Sequence, residues 1–156
     1  MTPAIDLAKK QGIPYQVHQY QHDASAASYG LEAAEKLGLS PQQVFKTLVV
    51  QLDNKQLAVA VLPVSNQLSM KIIAKALGAK KAEMANAQDV MRSTGYVLGG
   101  VSPLGQKKRL PTVIDSSAQQ FNSIFISAGK RGLEIEVAAT DLAELLGASF
   151  AAIQAV

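Results

Sequence analysis

The chain has 156 residues, a net charge of +3 at pH 7, 48% hydrophobic and 17% charged residues, and no cysteine. Its length suits one domain over residues 1–156, and this apolar content with so small a net charge disfavours a disordered chain. The absence of cysteine excludes a disulfide framework, a zinc ribbon, an iron–sulfur centre and a catalytic protein thiol. The longest strongly apolar run, residues 57–64, falls far short of the ~20 residues that span a bilayer, so we expect a soluble cytoplasmic protein without a membrane partner.

Capping residues and apolar spacing predict the elements of the first half of the chain. In chain order they are a helix capped by Thr2 and ended by Gly12, a strand over 15–20, a loop over 24–30, a helix over 31–37 closed by Gly38, and a short turn opened by Ser40 and Pro41. Two runs over 45–52 and 56–64, joined by residues 53–55, then form the clearest hairpin in the sequence.

Short strands dominate the second half. In chain order we predict a helix over 70–77 capped by Ser69, a strand over 80–84, a helix capped by Asn86 that stops before Gly95, a glycine-rich segment over 96–105, strands over 112–115, 123–127 and 133–138, a helix over 140–146 and a strand over 149–153. A doubly wound sheet requires strict alternation of strands and helices. This chain lacks that alternation, because two strands adjoin in the hairpin and several strands follow one another over 112–138. The sequence therefore predicts an α+β fold with a mixed, largely antiparallel sheet, which could curl into a barrel.

Lys46 is the most informative polar residue. Alternation places it on the face of Leu48 and Val50, and the partner run over 57–62 is apolar on both faces, so both sides of this strand pair should be covered. A lysine in such a place suits a cleft in which the ammonium faces an anion or a polarised carbonyl. The alternative is a lysine at a strand end whose ammonium reaches water.

Two glycine-containing segments could bind a ligand through the backbone. Gly99 and Gly100 allow a close approach or a positive φ, and the alternative is a tight turn with a bulge. In the second segment, over 127–132, glycines stand beside Lys130 and Arg131, which suits a phosphate, and a solvated hairpin turn is the alternative. Further basic residues over 80–81 and 107–109 fit a polyanion such as RNA or a solvated face.

Other kinds of site are poorly supported. Aromatic residues make up 5% of the chain, and no aromatic stacking platform is visible. His18 and His22 have no third metal ligand nearby except Asp23, and no nucleophile-elbow motif is present, so we predict neither a metal site nor a Ser-His-Asp triad. The residues together indicate a cleft for an anionic, nucleotide-bearing ligand that acts by positioning and electrostatics.

Several strings are similar to the YbaK/EbsC family over essentially the whole chain. They are FKTLVV (45–50), STGYVLGGVSPLGQKKR (93–109), SAGKRGLE (127–134), the opening MTPA (1–4), and HD (22–23) with EAAEKLG (32–38). The resemblance implies a barrel-like core with surrounding helices. It also implies a bacterial trans-editing deacylase, a free-standing relative of the editing domain of prolyl-tRNA synthetase, which hydrolyses Cys-tRNA(Pro). Mischarged tRNA(Pro) and prolyl-tRNA synthetase are the implied partners. An Ala-tRNA(Pro) deacylase and a non-catalytic tRNA- or nucleotide-binding module are the alternatives.

The resemblance also assigns roles to residues. It implies that Lys46 holds the substrate near its terminal adenosine and phosphate and that Gly99 and Gly100 line the scissile ester, which makes these three the predicted catalytic residues. The predicted substrate-binding residues are Tyr20, Thr47, Ser127, Gly129, Lys130 and Arg131. In the family mechanism the thiol of the substrate attacks its own ester and leaves as a cyclic thiolactone, so no cofactor is implied.

The chain departs from the family pattern at a few positions. Leu31, Ala128 and Glu134 differ from the residues expected there, and the small-residue run over 24–28 is also atypical. We expect these positions at the rim of the site, so they bear on substrate selectivity more than on the reaction class.

Overall fold

Five α-helices and eight strands form the described part of the chain, residues 1–25 and 28–156, in a computed structural model. The helices are α1 (Pro3–Gln11), α2 (Tyr29–Leu37), α3 (Met70–Ala76), α4 (Ala87–Thr94) and α5 (Ala139–Leu146), and a 3₁₀-helix covers Ser116–Gln120. The strands are β1 (Gln16–Gln19), β2 (Phe45–Leu52), β3 (Leu57–Pro63), β4 (Ala82–Met84), β5 (Thr112–Asp115), β6 (Ile124–Lys130), β7 (Leu133–Val137) and β8 (Ser149–Ala151). None of the helices described is long and apolar enough to cross a membrane.

The predicted helix caps are confirmed. The side chains of Thr2, Ser69 and Asn86 accept hydrogen bonds from the third backbone N–H beyond them, at 3.3, 3.1 and 2.8 Å. Gly12, Gly38 and Gly95 end their helices in the left-handed region.

Several element boundaries differ by one to three residues from the prediction, and the start of α2 is the difference that affects the cleft. Ser28 caps α2, so Tyr29 and Gly30 belong to the helix rather than to the predicted loop over 24–30. Ala26 and Ala27 of that loop lie outside the described residues. The 3₁₀-helix was not predicted; it begins where the Asp115 carboxylate accepts a hydrogen bond from the Ser117 N–H at 3.2 Å.

The α+β class and the central hairpin are confirmed, whereas a barrel is not. The described strands form two sheets: an antiparallel one in the order β1-β7-β6, and a mixed one in the order β4-β2-β3-β5-β8, whose last three strands run parallel. Residues 50–52 of β2 pair with β4, and between the two sheets the one backbone bridge of the described residues joins Val44, just before β2, to Phe125 of β6. Because a barrel needs a continuous ladder, the sheets among the described residues stay open.

Both faces of the β2–β3 pair are covered, as predicted. Phe45 and Val49 enter one hydrophobic core, which also contains Ile126 and Ile135 of the smaller sheet. Val50 enters a second core on the opposite face, packed against α3. The two open sheets meet near the start of β2, and a cleft lies at that junction.

Candidate active site

The cleft has a volume of about 340 Å³ and draws its walls from both sheets, α2 and the glycine-rich segment. Seven predicted site residues line it: Tyr20, Lys46, Thr47, Gly99, Ser127, Lys130 and Arg131. The cleft also contains residues that were not assigned a site role, among them Tyr29, Leu98 and Glu134. A larger and more open cavity of about 700 Å³ lies between α1 and α5, and it contains none of the predicted site residues.

Lys46 lies on β2 opposite Leu62 of β3 and is half-buried. Burial lowers the pKa of its ammonium, because the cleft wall replaces water around the charge. No carboxylate of the described residues forms an ion pair with it. A desolvated cation without a partner is suited to an anionic ligand, and the anion-binding role of Lys46 stays a prediction.

Thr47 follows Lys46 on β2 and also lines the cleft. Its hydroxyl oxygen is buried and has no hydrogen-bond partner among the described residues. Since buried hydroxyls are normally paired, this one is available to a group that enters the cleft.

Glu134 lies on β7, opposite Ser127 of β6 and His18 of β1. Its side chain is only 6% exposed, and burial raises the pKa of its carboxyl to about 8. The sequence placed Glu134 at the rim, and this expectation was wrong, because Glu134 is buried in the cleft wall. Strand alternation alone could place Glu134 on the same face of β7 as Glu136. It could not show that Glu134 is buried, because that burial results from the packing of the two sheets.

Tyr20 lies at the end of β1 on the same side of the cleft. Burial raises the pKa of its phenol, and the nearby Glu134 adds to that rise. Its backbone N–H donates to the carbonyl oxygen of Gly132 at 3.0 Å, which ties the end of β1 to the β6–β7 turn.

The mouth of the cleft carries a cation stacked on an aromatic ring. The guanidinium carbon of Arg131 lies 3.9 Å from the centroid of the Tyr29 ring, and Nη2 donates to the carbonyl oxygen of Leu98 at 3.2 Å. Gly99 has a φ of +91°, and a Cβ there would lie 2.6 Å from Nε of Arg131 and 2.7 Å from Cε2 of Tyr29. The missing side chain of Gly99 is therefore what allows this stack. The sequence showed no such platform, because Tyr29 and Arg131 are far apart in the chain.

Gly100 and Gly129 do not line the cleft. The N–H of Gly100 donates to the carbonyl oxygen of Val97 at 3.0 Å, so this donor is used within the turn. Gly129 has a φ of +100°, its N–H donates to Oγ of Ser127 at 3.0 Å, and a Cβ would lie 2.5 Å from the Tyr96 ring. Both glycines shape the loops that hold cleft residues.

A buried carboxylate fixes the wall behind Tyr29. Glu32 of α2 bonds to Nδ1 of His22 and accepts from the backbone N–H of Asp23, both at 2.7 Å, and pairs with Lys36 at 3.2 Å. The residues over 21–23 are thereby held against α2. In residues 1–25 and 28–156, no three His, Asp or Glu side chains group closely enough to hold a metal ion.

Fold and cleft together define a small α+β protein with a pocket lined by three cations and one buried acid. The model of the aminoacyl-tRNA editing domain family matches residues 24–145, so the chain belongs to that family, and the YbaK/EbsC resemblance is confirmed. By class it is an aminoacyl-tRNA deacylase.

Proteins similar to this chain include two curated relatives and one solved structure. A protein of Enterococcus faecalis named "Putative Cys-tRNA(Pro)/Cys-tRNA(Cys) deacylase EbsC" is 38% identical over 152 residues, which cover 97% of this chain and 92% of that protein. A proline–tRNA ligase of Shouchella clausii is 32% identical over 101 residues, 65% of this chain and 18% of the ligase. A crystal structure described as "a putative trans-editing enzyme for prolyl tRNA synthetase" has a TM-score of 0.86 at 21% identity, covering 99% of this chain and 96% of that one, and shows the same fold.

Proposed function

We propose that this protein is a free-standing deacylase that hydrolyses mischarged Cys-tRNA(Pro). The observation that carries the proposal is the cleft of about 340 Å³, whose wall contains Lys46 without an ion pair and Thr47 without a hydroxyl partner among the described residues. That space suits a small aminoacyl group attached to a terminal nucleoside. The name of the Enterococcus faecalis relative and the similarity to part of a proline–tRNA ligase support the choice of acyl group and tRNA.

The proposed reaction uses the thiol of the substrate itself. Its sulfur attacks the ester carbonyl, a C–S bond forms and the C–O bond to the ribose breaks. The thiol proton passes to the ribose oxygen, and a cyclic thiolactone and uncharged tRNA leave. The chain has no cysteine, and its contribution is to hold the two ends of the substrate in reacting geometry. Lys46 holds the phosphate and adenosine end, and Gly99 leaves room beside the ester.

The proposal extends to the context in which the protein acts. We take residues 1–156 as a single editing domain that acts in the cytoplasm, where tRNA is charged. Prolyl-tRNA synthetase is the proposed partner that supplies the tRNA, because a cleft of this size contacts only the aminoacyl end. The family match over 24–145 and the hydrophobic core shared by the two sheets support one domain. An Ala-tRNA(Pro) deacylase of the same family is the alternative.

The proposal is tested by measuring deacylation of tRNA(Pro) in the presence of a chelator. The tRNA is charged in parallel with Cys, 2-aminobutyrate, Ala, Ser and Pro. Cys and 2-aminobutyrate differ by a thiol in place of a methyl group, so pocket size alone separates them less than the ~10–200-fold that one methylene gives. We expect Cys to be released more than about 100-fold faster than 2-aminobutyrate, because only Cys can attack its own ester. Equal release of Cys and 2-aminobutyrate contradicts the thiol mechanism, and preferential release of Ala favours the alternative.

Gly99→Ala should lower kcat/KM for Cys-tRNA(Pro) by about 10- to 100-fold, because the new Cβ displaces Arg131 and Tyr29 at the mouth of the cleft. The left-handed backbone also costs about 1–2 kcal/mol of stability. Gly12→Ala is the matched control: its φ is +70°, and a Cβ there meets nothing within 4 Å. Steady-state kinetics and urea unfolding of both variants separate the steric effect from the backbone cost. Equal activity of the two variants would remove Gly99 from the site.

A further inference from the structure

Glu134 is the only carboxylate among the described residues that line the cleft. The other charged groups there are the cations of Lys46, Lys130 and Arg131. Glu134 forms no ion pair among the described residues, although its side chain is 94% buried. A largely buried acid without an ion-pair partner is unfavourable, so a cleft wall that contains one favours a ligand with a cation or a hydrogen-bond donor.

The position of this acid differs from that of the cations. Lys130 and Arg131 are exposed at the mouth, and Lys46 projects from β2 of the larger sheet. Glu134 is buried on β7 of the smaller sheet, between the register positions of Ser127 and His18. A ligand that fills the cleft therefore presents negative charge toward the mouth and β2, and a positive or donating group toward β7.

The end of an aminoacyl-tRNA has this charge distribution. Its phosphates are negative, and its one positive group is the α-ammonium, which lies next to the ester. Resting on the proposed function, we infer that Glu134 binds the α-ammonium of the aminoacyl group. The cleft then selects esters with a free amine over N-acylated esters, which have neither the charge nor the donors.

The protonation state of Glu134 is consistent with this role. In the empty cleft, burial raises the pKa of its carboxyl to about 8, so the group is largely protonated at pH 7. An ammonium that enters the cleft stabilises the ionised form, and the carboxyl proton is released to solvent. Tyr20, Lys46, Lys130 and Arg131 share the cleft lining with Glu134, His18 pairs with it across β1, and Glu32 acts with it on Tyr20.

The test compares kcat/KM for Cys-tRNA(Pro) with that for N-acetyl-Cys-tRNA(Pro) in the full chain. We expect the native protein to prefer the free amine by about 10- to 100-fold, the range for a charge-assisted hydrogen bond. Glu134→Gln should reduce the ratio of the two kcat/KM values to nearly one, mainly because kcat/KM for the free-amine ester falls. Glu136→Gln, on the same strand but outside the cleft, should retain it.

Two further arms keep the outcomes distinct. Calorimetric titration measures Kd for a non-hydrolysable amide analogue of cysteinyl-adenosine and for its N-acetyl form. We expect the same preference for the free amine in Kd, and this binding measurement also applies to a variant that no longer turns over substrate. Equal handling of both forms by the native protein, or an undiminished preference in Glu134→Gln, overturns the assignment of Glu134. Failure of the native protein to release cysteine from either ester overturns the proposed function instead.

Discussion

Lys46→Ala should lower kcat/KM for Cys-tRNA(Pro) by about 10²–10³-fold while the protein remains folded. Lys46 is proposed to hold the phosphate and adenosine end of the substrate, and a misplacement of the reacting atoms by about 1 Å costs about 10²-fold in rate. Lys46 is half-buried, has a lowered pKa and forms no ion pair among the described residues, so its charge is free for a ligand. Initial rates of deacylation over a range of substrate concentrations measure the effect.

Stability should change little or improve in the same variant. A desolvated charge without a partner lowers the free energy of unfolding, so its removal should not destabilise the protein. Breaking an ion pair differs, because the other charge would then stay buried without a partner. Lys71→Ala is the matched control, since Lys71 is an exposed lysine on α3, away from the cleft. Turnover of Lys46→Ala equal to that of Lys71→Ala, with both folded by circular dichroism, would remove Lys46 from the active site.

Glu134→Gln should make the protein more stable than the native chain above pH 8. The pKa of the Glu134 carboxyl is about 8 in the folded state and near its ordinary value of 4.5 in the unfolded chain. The folded state therefore binds the extra proton between these values, and native stability falls as pH rises from about 4.5 through 8. The penalty at high pH is on the order of 3–5 kcal/mol, because each pKa unit corresponds to about 1.4 kcal/mol. Glutamine is nearly isosteric and cannot ionise, so this penalty disappears.

Urea unfolding at pH 5, 7 and 9 measures the effect. The free energy of unfolding of the native protein should decline over this range more steeply than that of Glu134→Gln. Glu136→Gln is again the control, because Glu136 is partly exposed and bonds to His18 at 3.0 Å and to Ser123 at 2.5 Å. Parallel curves for the native protein and Glu134→Gln would show that Glu134 ionises without cost. A variant that is more stable but less selective for the free amine would connect the buried acid to function.

Local chemistry determined most of the secondary structure. Thr2, Ser69 and Asn86 cap helices that begin at the next residue, and Gly12 and Gly38 end theirs, because these signals act over a few residues. The β2–β3 hairpin and its two covered faces also follow from alternation alone. Lys46 could be singled out for the same reason, since a lysine in a strand covered on both sides conflicts with the pattern around it.

The tertiary structure alone decided how these elements build the cleft. Between the two sheets, the ladder is reduced among the described residues to the single bridge Val44–Phe125, and strand patterns do not encode which strands pair at long range. That junction buries Glu134, which sequence alternation marks only as polar. It also brings Arg131 onto Tyr29 beside Gly99, three residues from separate parts of the chain. Short-range preferences therefore determined the elements and their caps. Long-range packing determined where the cleft lies, that Glu134 is buried in its wall, and that Arg131 stacks on Tyr29 at its mouth.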